Sequence, residues 1–303
     1  MLGSSVAEKR ETRPMTNQPM LISEPEREEE EKQASFWSTV GRSLLSASSV
    51  TGRTLAHLGQ QAGQTVAEAY QAIDPDVRRH VAQLPLMALT YLSPGFRALD
   101  AKPDDGHRPL LFVHGLGGHS GNFVGMQLYF AAMGRKRTYS VQFGRLKELE
   151  AMAEHLQHCI HTVCARNELD ATQSIDIVAH SMGGIVTRLA LEDSETARYV
   201  AHVVTLGTPH KGTHMARFAA TQHIQSLRPN SSVLEKLEQQ VPWEASEERP
   251  PLFALWSHAD VLILPAEGAS LEGAINLEMS NYTHYTYLLH PQAWQKVYQL
   301  LGE

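Results

Sequence analysis

One run constrains this chain more than any other: Ser174-Ile175-Asp176-Ile177-Val178-Ala179-His180-Ser181-Met182-Gly183-Gly184-Ile185-Val186. Its first half is apolar and short enough for a buried strand, and its second half continues as a helix. Between them the chain turns sharply at a serine. Such a turn must be tight for the serine oxygen to stand clear of the backbone at the strand's end. Small residues two before and two after the serine permit it, and Ala179 and Gly183 occupy those places. An exposed hydroxyl at the end of a buried strand is where an α/β protein carries a nucleophile.

Three further runs fit a nucleophile. Pro109 to Val113 is apolar and ends in His114-Gly115-Leu116-Gly117-Gly118, a buried parallel strand entering a glycine-rich loop. Glycine lets backbone N–H groups approach a ligand closely. In acyl transfer such groups meet the oxyanion of the tetrahedral intermediate. Tyr199 to Leu206 is another buried strand, ending in Leu206-Gly207-Thr208-Pro209-His210-Lys211-Gly212. Leu252 to Trp256 is a strand followed by Ser257-His258-Ala259-Asp260, which places Asp260 beyond a strand's carboxyl end. Ala274 to Met279 alternates like a last, partly exposed strand, and His284 follows in a polar loop.

Together these runs resemble the α/β-hydrolase superfamily, and within it the bacterial triacylglycerol lipases and esterases. The resemblance covers about residues 108 to 303. The elbow usually reads Gly-x-Ser-x-Gly; Ala179 departs from that form, as in a subset of similar lipases. Ser, then acid, then His is this fold's chain order. The resemblance implies Ser181 as nucleophile, His284 as base and Asp260 as the acid that orients it. It implies oxyanion donors at the N–H groups of Leu116 and Met182, with support from His114, Gly115, Gly117, His180 and Gly183. His290 is the rival base, lying farther into the terminal helical segment. Glu267 and Glu272 are the rival acids, in a loop rather than at a strand end. His210 follows the wrong strand and precedes every candidate acid, so it is read as a positioning residue. The implied activity is carboxylic-ester hydrolysis through an acyl-serine. Thioesterase, amidase and acyltransferase chemistry use the same triad, and an idle hydrolase fold serving as an interaction module is the alternative of another class.

The alternation of strands with helical patterns argues an α/β fold with a mostly parallel central sheet flanked by helices. Thr138 to Phe143 reads as a strand, Leu146 to Cys164 as a helix, and 184–192 as the helix behind the elbow. The stretch from 213 to 251 is too long for a bare connection and reads as a small cap or lid. Residues 1–35 are polar and include the acidic run Glu24-Pro25-Glu26-Arg27-Glu28-Glu29-Glu30-Glu31, which predicts a disordered tail. Residues 36–100 read as a helical extension, with apolar residues at helical spacing from Phe36 to Ile73, then a second apolar stretch from Val81 to Leu92. The expected role of the Phe36–Ile73 segment is packing on the catalytic domain, with peripheral membrane contact as the alternative. The Pro- and Gly-bearing run Lys102 to Gly106 reads as a linker into a catalytic domain over 101–303.

Composition excludes other classes. A net charge of −7 offers no general basic face to nucleic acid. No apolar run is long enough to span a bilayer, and no secretory leader is evident. Cys159 and Cys164 lie five apart, on different faces of one helix, and read as half-buried unbridged thiols. That suits a reducing, cytoplasmic setting. No cofactor signature and no metal-ligand spacing stands out; His210 and His214 flank Gly212 in a loop. The expected ligand is a small-molecule or lipid ester.

Overall fold

The computed structural model describes residues 71–93, 99–172, 174–218, 222–239, 242–243 and 249–302. The acidic tail and nearly all of the Phe36–Ile73 segment lie outside the described residues. Contacts divide the chain into Met1–Ile73 and Asp74–Glu303.

The second unit is built on six strands: β1 (Leu110–Val113), β2 (Thr138–Ser140), β3 (Ile175–His180), β4 (Val200–Leu206), β5 (Leu252–Trp256) and β6 (Ile275–Glu278). Their order across the sheet is β2-β1-β3-β4-β5-β6, and every neighbouring pair is parallel. The fold is α/β, an open parallel sheet covered on both faces by helices. Both faces of β1, β3 and β5 are buried, as continuous rather than alternating apolar runs require. The edge strand β6 is mostly exposed.

Period-two alternation divides the core. Leu111, Val113, Ile175, Ile177 and Ala179 face one cluster, shared with α3 (Leu149–Arg166), α4 (Met182–Ala190) and α5 (Ser232–Glu238). Leu110, Phe112, Val178, Val204 and Leu206 face the other, shared with α1 (Pro75–Thr90), α2 (Val124–Ala132) and α6 (Pro291–Gly302). Leu149, Met152, Leu156, Ile160 and Val163 of α3 recur at helical spacing and are all buried. Cys159 and Cys164 are free and fully buried among them, rather than half-buried as expected. Burial pushes their thiols up to about 11 and about 12. Both are therefore poor nucleophiles at neutral pH.

Two expected boundaries move. The domain boundary placed at residue 100 falls after Ile73, because α1 belongs to the catalytic unit. Asp74 caps α1 by accepting from the N–H of Asp76 at 2.7 Å. The Lys102–Gly106 run is not a free linker. The Asp105 carboxylate accepts from the backbone N–H groups of Lys136 and Arg137, and Arg137 pairs with Asp104 at 2.7 Å. The strand expected at Thr138–Phe143 is shorter, ending at Ser140. Among the described residues no helix is long and apolar enough to cross a membrane.

At the amino end of the sheet, away from the serine, Asp176 is fully buried on β3. It accepts from Arg135 Nη2 and from His202 Nδ1, the latter at 2.9 Å. Arg135 also donates Nε–H to the Arg108 carbonyl. This pair stitches β3 to β4 and to the turn after α2. Breaking a buried pair from one side leaves an uncompensated charge and costs about 3–5 kcal/mol. Asp176→Ala should lower unfolding free energy by that amount in urea titrations, while Arg166→Ala, which removes an ion pair to Asp100 exposed on both sides, should cost far less.

Candidate functional site

The expected site residues cluster at the carboxyl ends of the strands, on the loops that leave them, on the end of β3 (His180) and on the first turn of α4 (Met182, Gly183), as α/β sheets place their chemistry. Ser181 sits between β3 and α4 with φ 56° and ψ −129°, a backbone region that a residue with a side chain rarely occupies. Two close approaches hold it there. A Cβ on Gly115 would lie 2.7 Å from Ser181 Cβ, and one on Gly183 would lie 2.5 Å from the Val113 carbonyl oxygen. Only glycine fits either place, so β1 and its loop can press against the elbow.

His284 brings its ring to the serine from the loop after β6. Its Nε2 lies 2.9 Å from Ser181 Oγ, and its Nδ1 lies 2.9 and 3.1 Å from the two oxygens of Asp260. A carboxylate only accepts, so Nδ1 carries the proton and neutral His284 presents a lone pair to the serine hydroxyl. Asp260 is 1 % exposed, and one of its oxygens also accepts from the Leu262 N–H at 3.1 Å. Ser181, His284 and Asp260 thus stand in one hydrogen-bonded line. The rivals do not reach it. His290 is exposed between the Thr286–Leu289 turn and α6, Glu267 faces His258, and Glu272 is exposed.

The supporting residues also converge. His180 donates Nε2–H to the His284 carbonyl at 2.9 Å, with its ring 4.7 Å from the His284 ring. Complete burial, with the charge of His284 second, drives its pKa down to about 3. His114 donates Nδ1–H to the Gly115 carbonyl at 2.9 Å, and burial lowers its pKa too. Met182 is the first residue of α4, where helix N–H groups have no partner within the helix. Leu116 follows Gly115 in the loop that packs on the elbow, and Gly117 offers its carbonyl to the Tyr91 hydroxyl. His210 is fully buried beneath the site, 3.0 Å from Thr205 Oγ1, and does not join the line.

Three contributors escaped the sequence reading. Gly207 has φ 51°, and a Cβ there would lie 2.9 Å from Asp260 Oδ2 and 3.0 Å from the Tyr287 ring. Its place in the Leu-Gly-Thr-Pro-His run was the only signal. Arg188 is buried on α4 and donates to the carbonyls of His210 and Leu237, fastening the loop after β4 to α5. Helix α1 lies across the site, with His80 stacked on Tyr285 at 5.0 Å. Burial first, then the charge of His284, lowers the His80 pKa to about 4.

A cavity of about 590 Å³ opens at Ser181. Its walls are Leu84, Met87, Ala88 and Tyr91 of α1; Met215, Ala216, Ile224 and Leu227 of the insertion; and Leu262, Ile263 and Leu288. Among the described residues, histidines are its only titratable lining besides Tyr91 and Tyr285. The half of the insertion from Ser232 packs into the core through Val233, Leu234 and Leu237, and the insertion residues that line the cavity are Thr213, Met215, Ala216, Ile224 and Leu227. Among the described residues no cluster could hold a metal ion.

With this geometry in hand, the similar proteins can be placed. The PGAP1-like alpha/beta domain family matches residues 122–240. Aspergillus fumigatus lipase B superposes with a TM-score of 0.58 at 17% identity, over 69% of this chain and 55% of that one. The chain therefore spans about half of that lipase's length. The mature form of Bacillus licheniformis lipase BlEst2 superposes with a TM-score of 0.52 at 20% identity, over 67% of this chain and 95% of that one. The fold is the α/β-hydrolase fold.

Two outcomes follow from the geometry. Gly207→Ala displaces Asp260 from His284, and a misplacement near 1 Å costs on the order of 10²-fold in rate. Labelling of Ser181 by a fluorophosphonate should slow by that order while the circular dichroism spectrum is kept. For the buried histidines the folded pKa lies below the unfolded value near 6.5, so the unfolded chain binds more protons at acid pH. Their contribution is fully present above about 6.5 and declines as pH falls towards about 4 for His80 and about 3 for His180. Urea unfolding at pH 7, 6 and 5 should give falling stability, by up to about 1.4 kcal/mol per pH unit for each histidine held neutral.

Proposed function

We propose that this protein is a serine carboxylic-ester hydrolase working through an acyl-serine. The observation that carries the reading is the hydrogen-bonded line from Asp260 through His284 to Ser181, opening on an apolar cavity. Ser181 Oγ attacks the ester carbonyl as its proton passes to His284 Nε2. The carbonyl oxygen becomes an oxyanion, held by the N–H groups of Leu116 and Met182. Collapse expels the alkoxide, which takes the proton from His284 and leaves as the alcohol. Water then attacks the acyl-serine, giving its proton to His284, and the second collapse returns the proton to Ser181 and frees the acid. Asp260 keeps Nδ1 protonated and stabilises the imidazolium of both steps.

The cavity lining supports a carbon-rich acyl group. Among the described residues no Asp, Glu, Lys or Arg lines it, and burial of alkyl carbon is favourable by about 0.8 kcal/mol per methylene. The lipases that share the fold are consistent with that choice. The chemistry asks nothing of a cofactor or metal.

A p-nitrophenyl ester panel of increasing acyl length tests the reading. The wild type should hydrolyse it, and Ser181→Ala and His284→Ala should lose turnover by on the order of a millionfold while remaining folded. Asp260→Asn should lose about 10⁴-fold, because it orients the base rather than transferring the proton. Near wild-type turnover in folded Ser181→Ala would sink the assignment. Activity lost in His290→Ala but kept in His284→Ala would move the base.

A further inference from the structure

Helix α1 touches both loops that carry the chemistry. On the base side, Gln83 spans two threonines that flank His284. Its Oε1 accepts from Thr283 Oγ1 at 2.7 Å, and its Nε2 donates to Thr286 Oγ1 at 2.8 Å. The threonines close a turn around the histidine. The Thr283 N–H donates to Thr286 Oγ1 at 3.0 Å, and the Thr286 N–H to the Thr283 carbonyl at 2.9 Å. Thr283 is fully buried and Thr286 nearly so. One turn earlier on the helix, His80 stacks on Tyr285 and Arg79 Nη1 donates to the Asn281 carbonyl at 3.0 Å. On the oxyanion side, the Tyr91 hydroxyl donates to the Gly117 carbonyl, and Asn122 Nδ2 donates to Thr90 Oγ1 at 2.7 Å. The Thr90 carbonyl oxygen lies so close to Gly121 that a side chain there has no room.

The loop carrying His284 follows the exposed edge strand β6, so the sheet alone holds it poorly. His180 fixes its carbonyl from beneath. Nothing described on the sheet fixes the turn from the solvent side; α1 does. A single amide that both donates and accepts suits two hydroxyls whose remaining valences are used within the turn.

We propose that Gln83 is a positioning residue for His284, and that α1 thereby sets the base in register with the serine. This rests on the ester-hydrolase reading for its kinetic consequence but not for its geometric one. A loosened turn lets the imidazole swing off the Ser181 hydroxyl, which lowers turnover without changing how the acyl chain is held.

Gln83→Met keeps the helix and the volume and removes both hydrogen bonds. It should lower kcat on p-nitrophenyl esters by on the order of 10–100-fold, leave KM within about twofold, and slow fluorophosphonate labelling in proportion to kcat. Gln83→Glu can accept from both threonine hydroxyls and should recover most of kcat. Thr283→Val should lose a similar factor, and Gln83→Met with Thr283→Val together should lose little more than either alone. A purely structural role predicts instead a lowered Tm with kcat intact, and that result in folded Gln83→Met overturns the proposal. A second measurement is independent of any substrate. In ¹⁵N-histidine-labelled protein the His284 Nδ1–H resonance, sheltered by Asp260, should broaden or vanish in Gln83→Met and persist in Gln83→Glu. An unchanged resonance in Gln83→Met overturns the positioning role. A wild type that neither labels nor hydrolyses esters sinks the ester reading alone, because the resonance still decides the role of Gln83.

Discussion

Everything in this site depends on one backbone constraint, the unfavourable conformation of Ser181. A side-chain-bearing residue at φ 56° and ψ −129° costs of order 1–3 kcal/mol and persists only where its surroundings over-determine it. The surroundings here are β1 on one side and α4 on the other, both brought into contact by missing side chains. Gly115 lies against Ser181 itself and Gly183 against the Val113 carbonyl. The parallel pairing of Val113 with Ala179 places the ends of β1 and β3 side by side, so the elbow and the glycine loop leave the sheet at one level. Close packing of backbone on backbone fixes the serine before any catalytic partner arrives.

Protonation is the second constraint, and burial settles it. Four histidines crowd the region: His80, His114, His180 and His284. For the first three, loss of solvent is the dominant cause of a lowered pKa, and neighbouring imidazoles add to it. They stay neutral at physiological pH; His114 and His180 serve as hydrogen-bond donors, and His80 packs by stacking on Tyr285. His284 alone among them faces a buried carboxylate, the partner that an imidazolium needs. One carboxylate placed against one of four rings sets that ring apart from the other three.

The sheet and the line of three side chains were legible in the sequence because their signals are local. Strands buried on both faces announce themselves as apolar runs, and the elbow, the glycine loop and the acid each end such a run. What escaped has a different physical character. The contact of Gln83 with Thr283 and Thr286 joins residues about two hundred apart, and no periodicity encodes it. The helix expected within 36–100 is present as α1, but its place over the cavity was not legible, because the residues of Val81–Leu92 divide between core, cavity wall and surface. α1 runs through Pro85 despite the donor that proline removes. The boundary near residue 100 was drawn on Pro and Gly content, whereas Asp104 and Asp105 pin that run to the turn before β2. Gly207 sat inside a run already noticed, but its reason is a clash with Asp260 that only three dimensions reveal.

The division of labour around the cavity follows from where each wall originates. The reacting groups leave strand ends, whose positions are locked by the sheet's hydrogen-bond ladder. The apolar walls come from three remote sources: α1, the insertion residues that line the cavity, and the loop carrying Leu262 and Ile263. The insertion wall is held at its two ends, by the Thr213 N–H donating to the Leu227 carbonyl and the His214 N–H to the Leu264 carbonyl. Ala216 and Leu227 of this wall also belong to the core cluster that contains residues of β1 and β3, so it is anchored in the domain beneath it. Helix α1 is tied to both loops beside Ser181. Leu84 beside Gln83 and Met87 one turn on line the cavity, while the Gln83 amide grips the turn around His284 and Tyr91 reaches the Gly117 carbonyl. A substitution that reshapes the α1 wall shifts the backbone that carries those grips, so this wall of the cavity and the turn around His284 are carried by the same helix.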